Sequence, residues 1–236
     1  MAVPKTKGIQ RDHILDMEIG DYYPIQLGEN STYGSGVDAN LFNEDWEAWG
    51  KRCWKDEIQL SPTGQTIIAD GVFYMIKVAE GLLISDRIVK SNITMNDLKY
   101  HLSNNYLEGE LRSFDGVEGV IRSITGGIGW CDANGNLIDP NLMPNIQYGA
   151  YPIYNEYDEY LVRSNLYGKI EANDNNVWNH FTYKTITQNL YWADPRFPIC
   201  RGGEGGGKTV ITTIGSGTLD KLAGFRPVFD YGYKNR

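Results

Sequence analysis

The sequence predicts an α+β protein that is mostly β, and three observations carry that reading. Aromatic residues make up 12% of the 236, with 16 Tyr and 6 Trp, which suits half-buried pleated surfaces. Glycine reaches 27 residues, so turns are frequent. The apolar stretches are short and bounded by Gly, Asn, Asp and Pro, a strand-and-turn pattern and not a helical-bundle one. The length fits two modest domains. The polar, glycine-dotted stretch from Ser103 to Gly119 is the expected boundary, which gives a β-rich N-terminal module at 1–112 and a second domain at 113–236.

The elements follow in chain order. Residues 8 to 20, with Ile14, Leu15, Met17 and Ile19, read as a short helix or an extended arm, and Tyr22 to Leu27 as a strand. The spacing of Phe42, Trp46, Trp49 and Trp54 predicts a short helix, in which Trp46 and Trp49 share a packing face. Thr66 to Val78 and Leu82 to Lys90 read as strands joined by tight turns. Thr94 caps a helix running to Leu102, with Asp97 three residues on as an acidic capping box.

In the second half, Val120 to Cys131 is strand-like, and Asn134-Gly135 within Asp132 to Asn136 is a hairpin-turn signal. A calcium loop is disfavoured there, because Leu137 and Met143 stand where such a loop needs Gly and Glu. Asn155 caps a helix through Arg163, with Glu156 and Asp158 at its positive end and Tyr157, Tyr160 and Leu161 as an apolar stripe. Strand-like and loop pieces then alternate through Asp174 to Trp178, Phe181 to Tyr183 and Leu190 to Trp192.

Near the C-terminus, Gly202 to Thr209 satisfies the phosphate-loop pattern G-x-x-x-x-G-K-T. Such a loop requires a parallel strand before it and a helix after it. Pro198 argues against the first, and the β-branched run Thr209 to Ile214 against the second. The stretch therefore reads as a glycine loop between strands.

The net charge of −8, without a Lys/Arg cluster, excludes a phosphate-tracking nucleic-acid surface. Cys53, Cys131 and Cys200 suggest reduced thiols and neither a disulfide framework nor a zinc site. No apolar run is long enough for membrane insertion, and the start reads as that of a chain made in the cytoplasm without a signal. His13, His101 and His180 are isolated, with no nucleophile motif around them, so no catalytic residue, metal ligand or cofactor is expected. His180 reads as a structural, hydrogen-bonded residue. The carbohydrate-binding candidates are Trp178, Tyr183, Tyr191 and Trp192 as stacking platforms, with Asp174, Asn175 and Asn176 as hydrogen-bonding orienters.

The order Arg122-Ser123-Ile124-Thr125-Gly126-Gly127, Asn155 to Tyr160, Asp174 to Asn179 and Gly224-Phe225-Arg226-Pro227-Val228 resembles virion surface proteins of tailed bacteriophages and prophages of Gram-positive bacteria. Met17 to Asp21, Asp70 to Lys77 and Gly81 to Arg87 are similar to the N-terminal module of those proteins. Arg201-Gly202-Gly203 followed by Gly224-Phe225-Arg226 is similar to the end of the C-type-lectin-like fold, in which both segments are strands of the central sheet. The Trp usual after Arg-Gly-Gly and the cysteine pair of the formylglycine-generating enzymes of that fold are absent. The resemblance thus implies a C-type-lectin-like domain at 113–236 without that enzyme's activity. It implies a non-enzymatic tail or head appendage of the virion, assembled in the host cytoplasm, with other virion proteins and host cell-surface carbohydrate as partners. A homo-oligomer, a trimer by analogy, is implied too. The alternatives are a capsid or tail decoration protein without a host ligand and a cell-wall polysaccharide hydrolase.

Overall fold

The computed structural model describes residues 3–27, 46–48, 71–91, 93–100, 105–139, 149–203, 211–215, 217–218, 220 and 222–235. The protein is mostly β. Seven strands form one antiparallel sheet in the order β2-β1-β3-β4-β15-β7-β6: β1 is Tyr22–Leu27, β2 Trp46–Ala48, β3 Gly71–Ala79, β4 Leu82–Ser85, β6 Glu110–Phe114, β7 Val117–Ser123 and β15 Pro227–Asp230. Five strands form a second sheet in the order β13-β12-β11-β14-β5: β5 is Lys90–Ser91, β11 Lys184–Tyr191, β12 Asp194–Gly202, β13 Ile211–Thr213 and β14 Ala223–Phe225. A small third sheet holds β8 (Gly129–Cys131) between β10 (Ala150–Tyr151) and β9 (Leu137–Ile138).

Period-2 alternation explains why both faces of the large sheet are apolar. Phe73, Met75, Leu83, Ile121 and Phe229 point to one core, which they share with Tyr183 just before β11 and with Ile186, Cys200 and Phe225 of the five-stranded sheet. Ile76, Val78, Leu82, Ile84 and Val228 point to the other, under Tyr157, Leu161, Leu166 and Trp178. The large sheet is therefore the middle layer, with the second sheet on one side and the helical turns of 157–178 on the other.

Those turns differ from a regular helix. Tyr157–Arg163 is wound as a π-helix, and beyond its end the Ser164 amide donates to the Glu159 carbonyl at 3.0 Å. Asn155 caps it as expected, its Oδ1 accepting from the Asp158 amide at 3.0 Å. Glu156 anchors it to β7: Arg122 donates to both Glu156 carboxylate oxygens at 2.8 and 2.6 Å, and the Thr125 amide donates at 3.0 Å. Burial pushes the Glu156 pKa up, but the bonds from Arg122 and Thr125 outweigh it and hold the group below its ordinary value.

Several local expectations hold. Helix α1, Met95–Tyr100, begins on a reciprocal box: the Asp97 amide donates to Thr94 Oγ1 at 3.1 Å, and Asp97 Oδ2 accepts from the Thr94 amide at 2.7 Å. The Asp132–Asn136 segment is the turn between β8 and β9. The Asp132 carboxylate is used within it, accepting from the Asn134 and Asn136 amides, both at 2.8 Å. Ile211–Thr213, within the β-branched run, is strand β13 paired antiparallel with β12, while residues 204–210 lie outside the described set.

Other expectations change. Within residues 8–20 the helical alternative shrinks to one 3-10 turn, Ile14–Asp16, and Gln10 makes an isolated parallel bridge to Tyr22 of β1. Trp46–Ala48 is a strand on the edge of β1 and not part of a helix, while the rest of 41–54 lies outside the described residues. Asp174 to Trp178 is a short helix, α2 (Asn175–Trp178), capped by Asp174, whose side chain accepts from the Asn176 amide. The boundary expected at 112/113 falls inside β6. Strands from either side of it share sheets: β15 lies between β4 and β7, and β5 pairs with β14.

The passage from β14 to β15 turns on one buried residue. Gly224 lies so close to β5 that a Cβ there would sit 2.1 Å from the Lys90 carbonyl oxygen, so the position excludes any side chain. Arg226, fully buried, then crosses from the five-stranded to the seven-stranded sheet. Its Nε donates to Thr185 Oγ1 at 3.1 Å, Nη1 to the Ser85 carbonyl at 2.7 Å and Nη2 to the Trp178 carbonyl at 2.8 Å. One guanidinium thereby holds β11, β4 and the end of α2. Burial lowers its pKa to about 10, which still leaves it charged at neutral pH. Arg226→Met should cost about 3–5 kcal/mol, since it strands buried acceptors worth about 1–3 kcal/mol each. A urea midpoint within error of the parent would contradict this role.

Candidate functional site

The described surface presents one aromatic cluster built by strand geometry. β11 and β12 form a hairpin whose tip is Trp192-Ala193, with Tyr191 opposite Asp194. The pairing of β11 is irregular between Ile186 and Tyr191. There β11 is met by the chain leading to β8: the Gln188 amide donates to the Ile124 carbonyl at 3.1 Å, the Gly126 amide to Asn189 Oδ1 at 2.7 Å and the Trp192 amide to the Ile128 carbonyl at 2.9 Å. These bonds carry Gly129-Trp130 alongside the hairpin tip.

The three rings that result pack edge to face. Trp130 and Tyr191 have centroids 5.6 Å apart at 82°, and Tyr191 and Trp192 6.0 Å apart at 69°. Trp130 and Tyr191 are half-buried over Ala150, Ile199 and Ile211, while Trp192 keeps 44% of its surface exposed. Gly129 is the floor beneath Trp192, because a Cβ there would lie 2.5 Å from Trp192 Cδ1. The indole thus packs on the Gly129 backbone and meets the Tyr191 ring edge to face.

Polar groups flank the rings. Asp194 accepts from Arg196 Nε at 2.9 Å and from Nη2 at 2.5 Å, and the guanidinium lies 5.9 Å over the Phe197 ring. The bonds from Arg196 hold the Asp194 pKa down to about 2, so the carboxylate stays ionised. Burial, with the charge of Asp139 adding to it, raises the Tyr191 pKa, so its hydroxyl keeps its proton at neutral pH. The patch thus sets an exposed apolar ring beside a phenol hydroxyl and an ionised carboxylate paired with a guanidinium.

The structure divides the seven sequence-derived candidates. Tyr191 and Trp192 belong to this patch. Trp178 is fully buried beneath the large sheet and Tyr183 is 3% exposed between the two large sheets, so neither ring offers a stacking face. Asp174 caps α2, and Asn175 Oδ1 accepts from the His180 and Phe181 amides, both at 2.8 Å. Asn176 is exposed, and its amide and side-chain nitrogens both donate to Asp174 Oδ1. These three build the α2 turn, apart from Tyr191 and Trp192. Trp130 escaped sequence reasoning, because only its place on β8 brings it to Tyr191.

A second polar cluster is closed to solvent. Arg201, on β12, donates to both Asp158 oxygens at 3.0 and 2.5 Å and to the Gly126 carbonyl at 3.0 Å, and lies 4.6 Å from the Tyr157 ring centroid. Asp158 also accepts from the Ala150 amide at 3.1 Å, which ties in the small sheet. Tyr157 Oη is 2.9 Å from His180 Nδ1, in a site where both residues are fully buried. Cys131 and Cys200 are buried free thiols, and burial raises the Cys200 pKa to about 12. Among the described residues no helix is long and apolar enough to cross a membrane, and no three His, Cys, Asp or Glu side chains gather as a metal site. No family model, curated protein or solved structure matches the chain.

Burial, reinforced by the charges of Arg226 and Arg201, lowers the His180 pKa from 6.5 to about 3. The unfolded chain therefore binds the extra proton first. The stability tied to neutral His180 is complete above about pH 6.5 and is lost as pH falls toward 3. An NMR titration of the ring should show no protonation between pH 7 and 5, and a midpoint near 6.5 would refute the closed site.

Proposed function

We propose that this chain is a non-enzymatic surface protein of a tailed-bacteriophage virion, a tail or head appendage that binds host cell-surface glycan through Trp192, Tyr191 and Trp130. The observation that carries the binding part is the Trp192 indole, exposed yet held in place by Gly129 and Tyr191. A ring ordered before binding loses little entropy when a pyranose stacks on it. The virion assignment rests on the sequence resemblance. A C-type-lectin-like arrangement of the C-terminal half is supported by β12, which carries Arg201-Gly202, and β14, which carries Gly224-Phe225, lying on either side of β11 in one sheet. In this reading residues 1–112 serve attachment to other virion proteins.

A single open aromatic patch binds weakly, with Kd on the order of millimolar, and becomes effective through many copies on one particle. The test is adhesion of beads coated with the full chain to Gram-positive cells and to their purified wall polysaccharide. Trp192→Ala should weaken adhesion about tenfold or more without lowering the melting temperature. Absence of adhesion by the multivalent parent would favour a decoration protein without a host ligand. Release of soluble sugar from the wall would favour a hydrolase.

A further inference from the structure

We propose that the outer edge of β6 pairs antiparallel with β6 of a second copy of this chain, across a two-fold axis through Leu111. Strand β6 ends the seven-stranded sheet, and among the described residues no strand pairs with its outer side. Its inner side pairs with β7, placing Glu110 opposite Ile121, Leu111 opposite Val120 and Arg112 opposite Gly119.

Along an antiparallel edge, successive residues turn their N–H and C=O alternately toward the neighbour and away from it. Phe114 and Val117 close the two-residue turn Asp115-Gly116 as a hydrogen-bonded pair, so the alternation makes Leu111 and Val120 a pair without ladder bonds, and the Leu111 carbonyl accepts instead from Nη1 of Arg112 at 3.3 Å. Leu111 therefore turns its backbone pair outward, and its side chain is 63% exposed. An exposed apolar residue on an open edge is what soluble proteins ordinarily avoid unless the edge is covered.

Charge selects the occupant and the register. Centred on Leu111, each Leu111 amide donates to the carbonyl of the other, and the two leucines meet on one face. On the opposite face, Glu110 of each copy lies against Arg112 of its partner, twice. Centring on Arg112 would oppose two guanidinium groups, and centring on Glu110 two carboxylates. The segment Glu110-Leu111-Arg112 is thus its own complement when read in reverse, which points to a second copy and not to an unrelated strand. Arg112 needs only to leave the Leu111 carbonyl, while its other guanidinium end keeps the bond to the Tyr106 hydroxyl and its place over that ring. The contact is independent of the glycan-binding reading.

Sedimentation velocity of the full chain across the micromolar range reads this directly. A concentration-dependent dimer is expected. Glu110→Arg and Leu111→Lys should each weaken it about tenfold or more while the far-UV circular dichroism of the monomer stays that of the folded parent. Glu110→Arg combined with Arg112→Glu should re-form it, since the exchanged charges again oppose each other. A monomer at every concentration overturns the proposal, as does a dimer indifferent to both single changes. A folded double variant that stays monomeric overturns the register.

Discussion

The structure turns on the guanidinium of Arg226. It sits where the chain leaves one sheet and enters another, and its three hydrogen bonds reach β11, β4 and α2 at once. A charge in such a place is tolerated only because carbonyl and hydroxyl oxygens satisfy it from three directions. The consequence is topological. With Arg226 fixed, β15 is delivered between β4 and β7, so the last strand completes a sheet begun by the first. Residues far apart in sequence then share one core, and Phe229 packs edge to face on Phe114 at 5.0 Å.

Arg201 extends the same device to the outer layers. Its bond pair with Asp158 links β12 to the π-helix, and the Ala150 amide on Asp158 adds the small sheet. Breaking one partner of such a pair leaves a buried charge uncompensated, so the network specifies a geometry beyond what apolar packing alone would select. The aromatic patch inherits this rigidity, because the segment 124–130 that sets Trp130 and Gly129 is held through Gly126, whose carbonyl accepts from Arg201. A buried polar network thereby supports an exposed ring at a hairpin tip.

What was legible in the sequence was what local chemistry decides. The Thr94 and Asp97 box, the Asn134-Gly135 turn, the Asn155 cap and the strand after the glycine run each depend on a few neighbouring residues. The mostly-β class likewise follows from composition and alternation. The illegible part was set at long range. Nothing in Trp178-Asn179-His180 says that the indole points under a sheet formed by residues a hundred positions away, and the same spacing suits an exposed platform. Trp46 kept a helical spacing with Trp49 but pairs as strand with β1, because an available edge outweighs weak periodicity. Asp158 looked like a helix-terminus charge and is instead the counter-ion of Arg201, a partner 43 positions later. The boundary inside Ser103 to Gly119 followed a real drop in apolar content, yet β6 begins there.

The claim that one buried corner joins the sheets is most directly tested by native-state hydrogen exchange. Amides of β4, β7 and β15 should open with the same free energy, and the same denaturant dependence, as those of β11, β12 and β14. Two separate exchange isotherms, one for each sheet, would contradict the account.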